Sequence, residues 1–415
     1  MGNIFYGWWI ILACFLIASY VGGAVVYGFT AFFEPIVEEF GWSYTQVSIA
    51  FSLRGLEMGI LAPLTGFLVD RFGSRKLTLL GTLIVGFALI LLSLTKSLLM
   101  FYSAFVLLVL GTSGCTTTVL TTAAAHWFRR NVGKAIGIVA CGFGAGGILI
   151  PLVVWLIDLY QWRTALVILG LAMWALGIPL SLVIRDRPEQ YGYLPDGEIS
   201  PEPSSIHGSR DIKKETGVKE ALKSKDFWTI GLAEAIRGMI AMAVITHVMP
   251  YLSSIGLSRT NAAFVATAIP FFSVIGRLGF GWLSDILDKR YVLSGLYCLF
   301  GMGTLAFSYL HVRWLIFPFL LLFSPAFGGA VALRGAIIRE YFGRASFGRL
   351  FGMVMGMVAI GGVIGPTVAG WSFDKWGSYQ PVWLSFAGTC VVAMVLILGL
   401  KAPRRMSAEE GDYQG

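Results

Sequence analysis

Apolar runs of about 20 residues, parted by short polar breaks, recur along the whole chain. A hydrocarbon core about 30 Å thick needs about 20 apolar residues per helix. Twelve runs meet that length: 7–33, 46–69, 76–95, 98–124, 132–157, 163–184, 226–251, 260–284, 290–310, 313–338, 347–372 and 380–401. The one long polar break, 185–225, is rich in Pro, Ser and charge and carries Lys213, Lys214, Lys219, Lys223 and Lys225. The pattern predicts an all-α membrane protein with 12 transmembrane helices. Its parts are an N-terminal six-helix bundle over 1–184, a cytoplasmic linker over 185–225, a C-terminal six-helix bundle over 226–401 and a cytoplasmic tail over 402–415.

The two halves repeat each other. Gly66, Asp70 and Arg75 in one break reappear as Gly281, Asp285 and Arg290 in another, 215 positions on. Pro151 and Pro366 stand in matching Gly-rich contexts at the same offset of 215, and each is followed by an aspartate, Asp158 and Asp374. Repeats in the same orientation predict two pseudo-symmetric bundles around a midplane site, a transporter layout.

Composition agrees: of the 415 residues 56% are hydrophobic and 13% charged, where soluble chains average about 25% charged. The net charge of +8 does not imply nucleic-acid binding, because its distribution explains it. With the N-terminus inside, 22 of the 31 Lys and Arg fall in cytoplasmic loops and tails, five outside and four within helices. That bias predicts both termini cytoplasmic in the cell membrane. The five cysteines, Cys14, Cys115, Cys141, Cys298 and Cys390, all lie in apolar runs with no paired spacing, and read as buried small hydrophobes. No phosphate-binding loop, metal-spaced His/Cys cluster or nucleophile elbow is present, so the reading is a monomeric non-enzyme with no cofactor and no metal.

Candidate chemistry comes from charges inside the spans. Arg277 stands eight residues before Asp285 in an otherwise apolar run, about 12 Å deep at about 1.5 Å per residue. A lone cation there costs about 2.5–3.5 kcal/mol, and the offset expected is either an anionic substrate or a structural partner. Glu234 with Arg237, and Arg54 with Glu57, sit three positions apart on shared helix faces and can form ion pairs. Glu234 or Glu57 could instead carry a proton. Arg334 lies five residues from Arg339 and can snorkel to the cytoplasmic surface. His126 and His247 sit near helix ends and read as interfacial, and Thr116, Thr117 and Thr118 read as bonded to their own backbone, with a cavity-facing position the alternative for one of them.

The stretch from Gly66 through Asp70, Arg71, Gly73 and Arg75 to Lys76, with its weaker echo at 281–290, resembles the signature loop of the major facilitator superfamily. The resemblance implies the major facilitator fold, with Gly66, Asp70, Arg71, Arg75, Asp285 and Arg290 gating the cytoplasmic face. Phe5 to Trp9, Arg185 to Gly197 and Arg277 together resemble bacterial members of the monocarboxylate porter group. That resemblance implies transport of a small organic anion such as lactate or pyruvate with a proton, with Arg277 as the carboxylate ligand. Arg suits the role because its planar fork takes a carboxylate bidentately and stays charged. Two positions depart from the animal members: Ser273 stands where they have an acid, and Tyr27 where they have a lysine. Tyr27, Ser273 and Thr117 remain candidate substrate contacts. An oxalate–formate type of exchange is the alternative, disfavoured because 350–361 contains no cation. A drug exporter or a non-transporting sensor is a further alternative.

Overall fold

A computed structural model describes residues 5–56, 61–128, 131–191, 218–343 and 347–400. Among these the regular structure is helical, with no strand. The helices are α1 (Tyr6–Phe40), α2 (Tyr44–Leu56 and Ala62–Phe72, on either side of residues 57–60), α3 (Ser74–Ser93) and α4 (Leu98–Trp127). The stretch Val132–Val183 turns at Gln161, whose φ is 65°, and so holds two predicted runs, α5 before the turn and α6 after it. The second half is α7 (Lys225–Ser254), α8 (Arg259–Ile286), α9 (Lys289–Ser308), α10 (Ile316–Phe342), α11 (Phe347–Trp376) and α12 (Gln380–Leu398). Among the described residues, ten continuous helical stretches are long and apolar enough to cross a membrane. Of the central polar stretch, 192–217 lies outside the described residues.

Local chemistry sets the helix ends. The hydroxyls of Ser224 and Ser258 accept backbone N–H bonds at the starts of α7 and α8, as N-caps do. Within each half, helices pack through small residues: a Cβ on Gly276 would strike the Pro325 carbonyl, and one on Gly328 the Ser273 carbonyl, so α8 and α10 meet backbone to backbone. Large apolar side chains such as Phe67, Trp155, Phe271 and Phe317 face outward, as lipid-facing surfaces require. Cys298, expected to be buried, is exposed on this surface, while Cys14, Cys115 and Cys390 are buried.

Among the described residues the polar bridges between the halves cluster toward one end. There the Asp374 carboxylate of α11 accepts bonds from the Tyr44 and Thr45 N–H groups at the start of α2, both 2.8 Å, and from the Thr45 hydroxyl at 2.5 Å. Its counterpart in the repeat, Asp158 of α5, pairs with Arg259 at the start of α8 (3.2 Å), and Arg259 also donates to the Ala31 carbonyl. Tyr44 and Arg259 are themselves 215 positions apart, so the two contacts are copies of each other. Between them, Thr30 donates to the Thr246 carbonyl, and Ser52 bonds Thr367. His247 is not interfacial as its position suggests. It is fully buried, bonded to the Pro366 carbonyl, Ser48 and Tyr379.

At the opposite end, which carries the basic loops, the helices that touch elsewhere stand bare. A Cβ added to Gly66 of α2, Gly281 of α8 or Gly352 of α11 would meet no atom within 4 Å. On the sealed side the same helices are tight: a Cβ on Gly55 of α2 would lie 2.8 Å from the Ala359 carbonyl of α11, and one on Gly144 of α5 2.8 Å from Val274 of α8.

Removing the Asp374 carboxylate weakens one of these bridges. The group is half in solvent, so about 1 kcal/mol is expected, about a fivefold shift toward separation of the sealed end. In a background free of the five native cysteines, Asp374→Ala is expected to raise the maleimide labelling rate of a cysteine at Val363 about fivefold; an unchanged rate contradicts the bridge.

Candidate functional site

Three helices converge where the halves meet at mid-depth. Residues 142–147 of α5 contain four glycines, and their backbone is the wall on which both neighbours rest. On one side Gly22 and Gly23 of α1 press against Phe143 and Gly146; on the other Pro270 and Val274 of α8 press against Gly144 and Gly147. This close approach carries Arg277 of α8 across the boundary between halves. Its Nη1 donates to the Ala140 carbonyl of α5 at 2.9 Å, while its Nε is buried without a partner. A guanidinium has five N–H donors and this one has a single neutral acceptor. Among the described residues no carboxylate lies within ion-pair distance of it. It is half-buried rather than sealed.

Near it stands Tyr27, 7% exposed, at the end of a π-helical stretch Val21–Tyr27 in α1. Both Arg277 and Arg54 lie near enough to interact electrostatically with its hydroxyl. The other candidate contacts are bonded within their own helices. Ser273 is fully buried and its hydroxyl donates to the Pro270 carbonyl of its own helix at 2.6 Å. Thr117 is exposed on α4, where its carbonyl accepts from Thr121.

A second cluster is built inside the C-terminal half. The Glu234 carboxylate receives Arg237 at 3.0 Å, the ion pair its spacing predicts, and also Arg334 at 2.6 Å and the Tyr297 hydroxyl at 3.2 Å. Glu234, Arg237 and Arg334 are 1, 3 and 4% exposed. Arg334 therefore does not snorkel. It turns inward, because an anion on α7 is nearer than water and a buried carboxylate needs partners. Glu57 lies outside the described residues. Arg54 reaches α1, donating to the Val26 and Val25 carbonyls at 2.9 and 2.6 Å.

The signature-loop residues lie at the open end. Asp70 and Arg71 are exposed, and the Arg75 N–H donates to Asp186, which follows α6 in the same half. Arg290 grips Asp288 and the Leu400 carbonyl; its guanidinium holds the Asp288 carboxyl below the ordinary carboxylate range. Asp285 closes α8. The contacts of Arg75 and Arg290 all stay within their own half. Cavities of about 360 and 540 Å³ at this end are lined by Lys223, Ser224, Lys225 and Trp228 and by Gly335, Arg339 and Phe347, and Arg277 lines neither.

Comparison with known proteins fits this picture. The sequence matches the family model of the Major Facilitator Superfamily over residues 8–324 and 238–412. The chain belongs to that superfamily. It is similar to monocarboxylate transporter 12 of Rattus norvegicus, 28% identical over 432 residues, covering 97% of this chain and 86% of the relative. It is also 25% identical to the uncharacterized MFS-type transporter YcxA of Bacillus subtilis (strain 168), covering 93% and 92%. Among solved structures, a bacterial homolog of the human lysosomal transporter Spinster superposes with a TM-score of 0.72 at 17% identity, covering 96% of each chain. The protein is thus a transporter of this fold rather than an enzyme.

Protonating or neutralising Glu234 would leave two buried guanidiniums without an anion. Glu234→Gln is expected to cost about 3–5 kcal/mol, read as a lowered thermal unfolding midpoint in detergent. An unchanged midpoint would show that the cluster does not hold the half together.

Proposed function

We propose that the protein is a secondary transporter that moves a small monocarboxylate together with a proton by alternating access. The observation that carries this reading is Arg277: a permanent cation at mid-depth, between the halves, with one carbonyl for a partner among the described residues. A carboxylate from outside would supply the missing anion and the bidentate geometry that a guanidinium favours. Tyr27 opposite it offers a hydroxyl to an oxygen beside the carboxylate, as in a 2-hydroxy or 2-oxo acid. Likeness to monocarboxylate transporter 12 along nearly the whole chain supports the substrate class.

Alternating access is supported by the asymmetry of the two ends. Positive loops face the cytoplasm, so the sealed end is outward and the open end inward. The bare glycines Gly66 and Gly352, beside Asp70, Arg71 and Arg75, offer the surface on which α2 and α11 would close when the outer bridges release. Each chain contains both halves and so a complete pathway, which supports a monomeric unit. The proton neutralises the substrate's charge, making transfer electroneutral; a pH gradient tests it directly.

Proteoliposomes given radiolabelled lactate, pyruvate, formate and oxalate, with and without external acid, provide the test. Uptake of a monocarboxylate should rise with external acid, and Arg277→Gln should lower it at least about 30-fold, since truncating one partner of a desolvated charge pair costs about 2–5 kcal/mol. Dependence on internal substrate with no effect of pH would show exchange instead. Full uptake by Arg277→Gln would refute the carboxylate role.

A further inference from the structure

The break in α1 has a keeper on another helix. From Val21 to Tyr27 the helix runs in the wide π register, with the Gly28 N–H reaching back to the Gly23 carbonyl, and from Gly28 to Phe32 it tightens to 3-10. The usual i→i+4 ladder is lost at this junction, and π turns of this kind concentrate at functional sites. Arg54 of α2 donates to the carbonyls of Val25 and Val26, the two residues immediately before Tyr27. Two N–H groups of one rigid fork thus hold two successive carbonyls, which a single-point ammonium could not do with the same geometry. On its far side the same π stretch lies against the glycines of α5, whose Ala140 carbonyl holds Arg277. Among the described residues the Tyr27 hydroxyl makes no hydrogen bond.

We infer that Arg54 is a positioning residue for the carboxylate site: by gripping Val25 and Val26 it fixes the π turn that sets the Tyr27 hydroxyl opposite Arg277, and so sets how tightly the substrate is held. This rests on the carboxylate reading and adds to it a role for a cation that touches no substrate. Arg54 acts through Tyr27, so their substitutions must not add.

The experiment measures uptake kinetics of Tyr27→Phe, Arg54→Gln, Arg54→Lys and the double variant in proteoliposomes, normalised to folded protein by gel filtration and melting midpoint. Tyr27→Phe and Arg54→Gln are each expected to raise KM about tenfold with kcat within threefold of wild type. The double variant should match Tyr27→Phe alone, and Arg54→Lys should recover only part of the loss. A role in folding alone would lower the yield of Arg54→Gln and leave KM unchanged, overturning the inference, as would additive effects on KM. Should Arg54→Gln not fold, Tyr27→Phe still decides: an unchanged KM refutes the proposal. Wild-type protein that moves no carboxylate would refute this inference together with the functional reading, whereas wild-type uptake with unaltered variants refutes the inference alone.

Discussion

A guanidinium held in the middle of a membrane, bonded to one carbonyl of the opposite half, is the constraint on which the rest depends. The cost of placing Arg277 there is met only in part by Ala140. Everything nearby serves to make the placement feasible. The glycines at 142–147 let α5 lie close enough for the side chain to cross the boundary. Pro270 and Ser273 shape α8 against α5 and α10, and the π turn of α1 brings a tyrosine to the other side.

The chain treats its intramembrane charges in two ways, and the contrast is informative. Glu234, Arg237 and Arg334 neutralise one another in a network closed by Tyr297, inside one half. The partners of this cluster all come from the same bundle. Arg277 lies on the seam between bundles and among the described residues has no acidic partner. Under the proposed alternating access, a ligand at such an incomplete charge would touch both halves at once and so couple binding to motion. The bridges at Asp374 and Asp158, copies related by the internal repeat, hold the sealed end without involving Arg277.

Much of this was legible in the sequence, for physical reasons. Twelve apolar runs, the offset of 215 and the lone arginine are statements about spacing, and lipid makes spacing decisive. What stayed hidden depends on azimuth and on backbone. Distance along the chain placed Arg334 near the surface, but the direction its side chain takes around α10 decides that it meets Glu234. His247 was near a helix end in number and yet lies at the buried contact of Ser48 with Pro366. The Val25 and Val26 carbonyls that Arg54 reaches, and the Ala140 carbonyl that Arg277 reaches, carry no signature in residue type. Only the glycines at 142–147 hinted that backbones would meet there.

The most direct measurement is a structure determined with the best-transported monocarboxylate bound. The account predicts the substrate carboxylate within about 3 Å of the Arg277 guanidinium, with Tyr27 on its other side. A carboxylate bound elsewhere, with Arg277 still resting on Ala140 and nothing more, would contradict it.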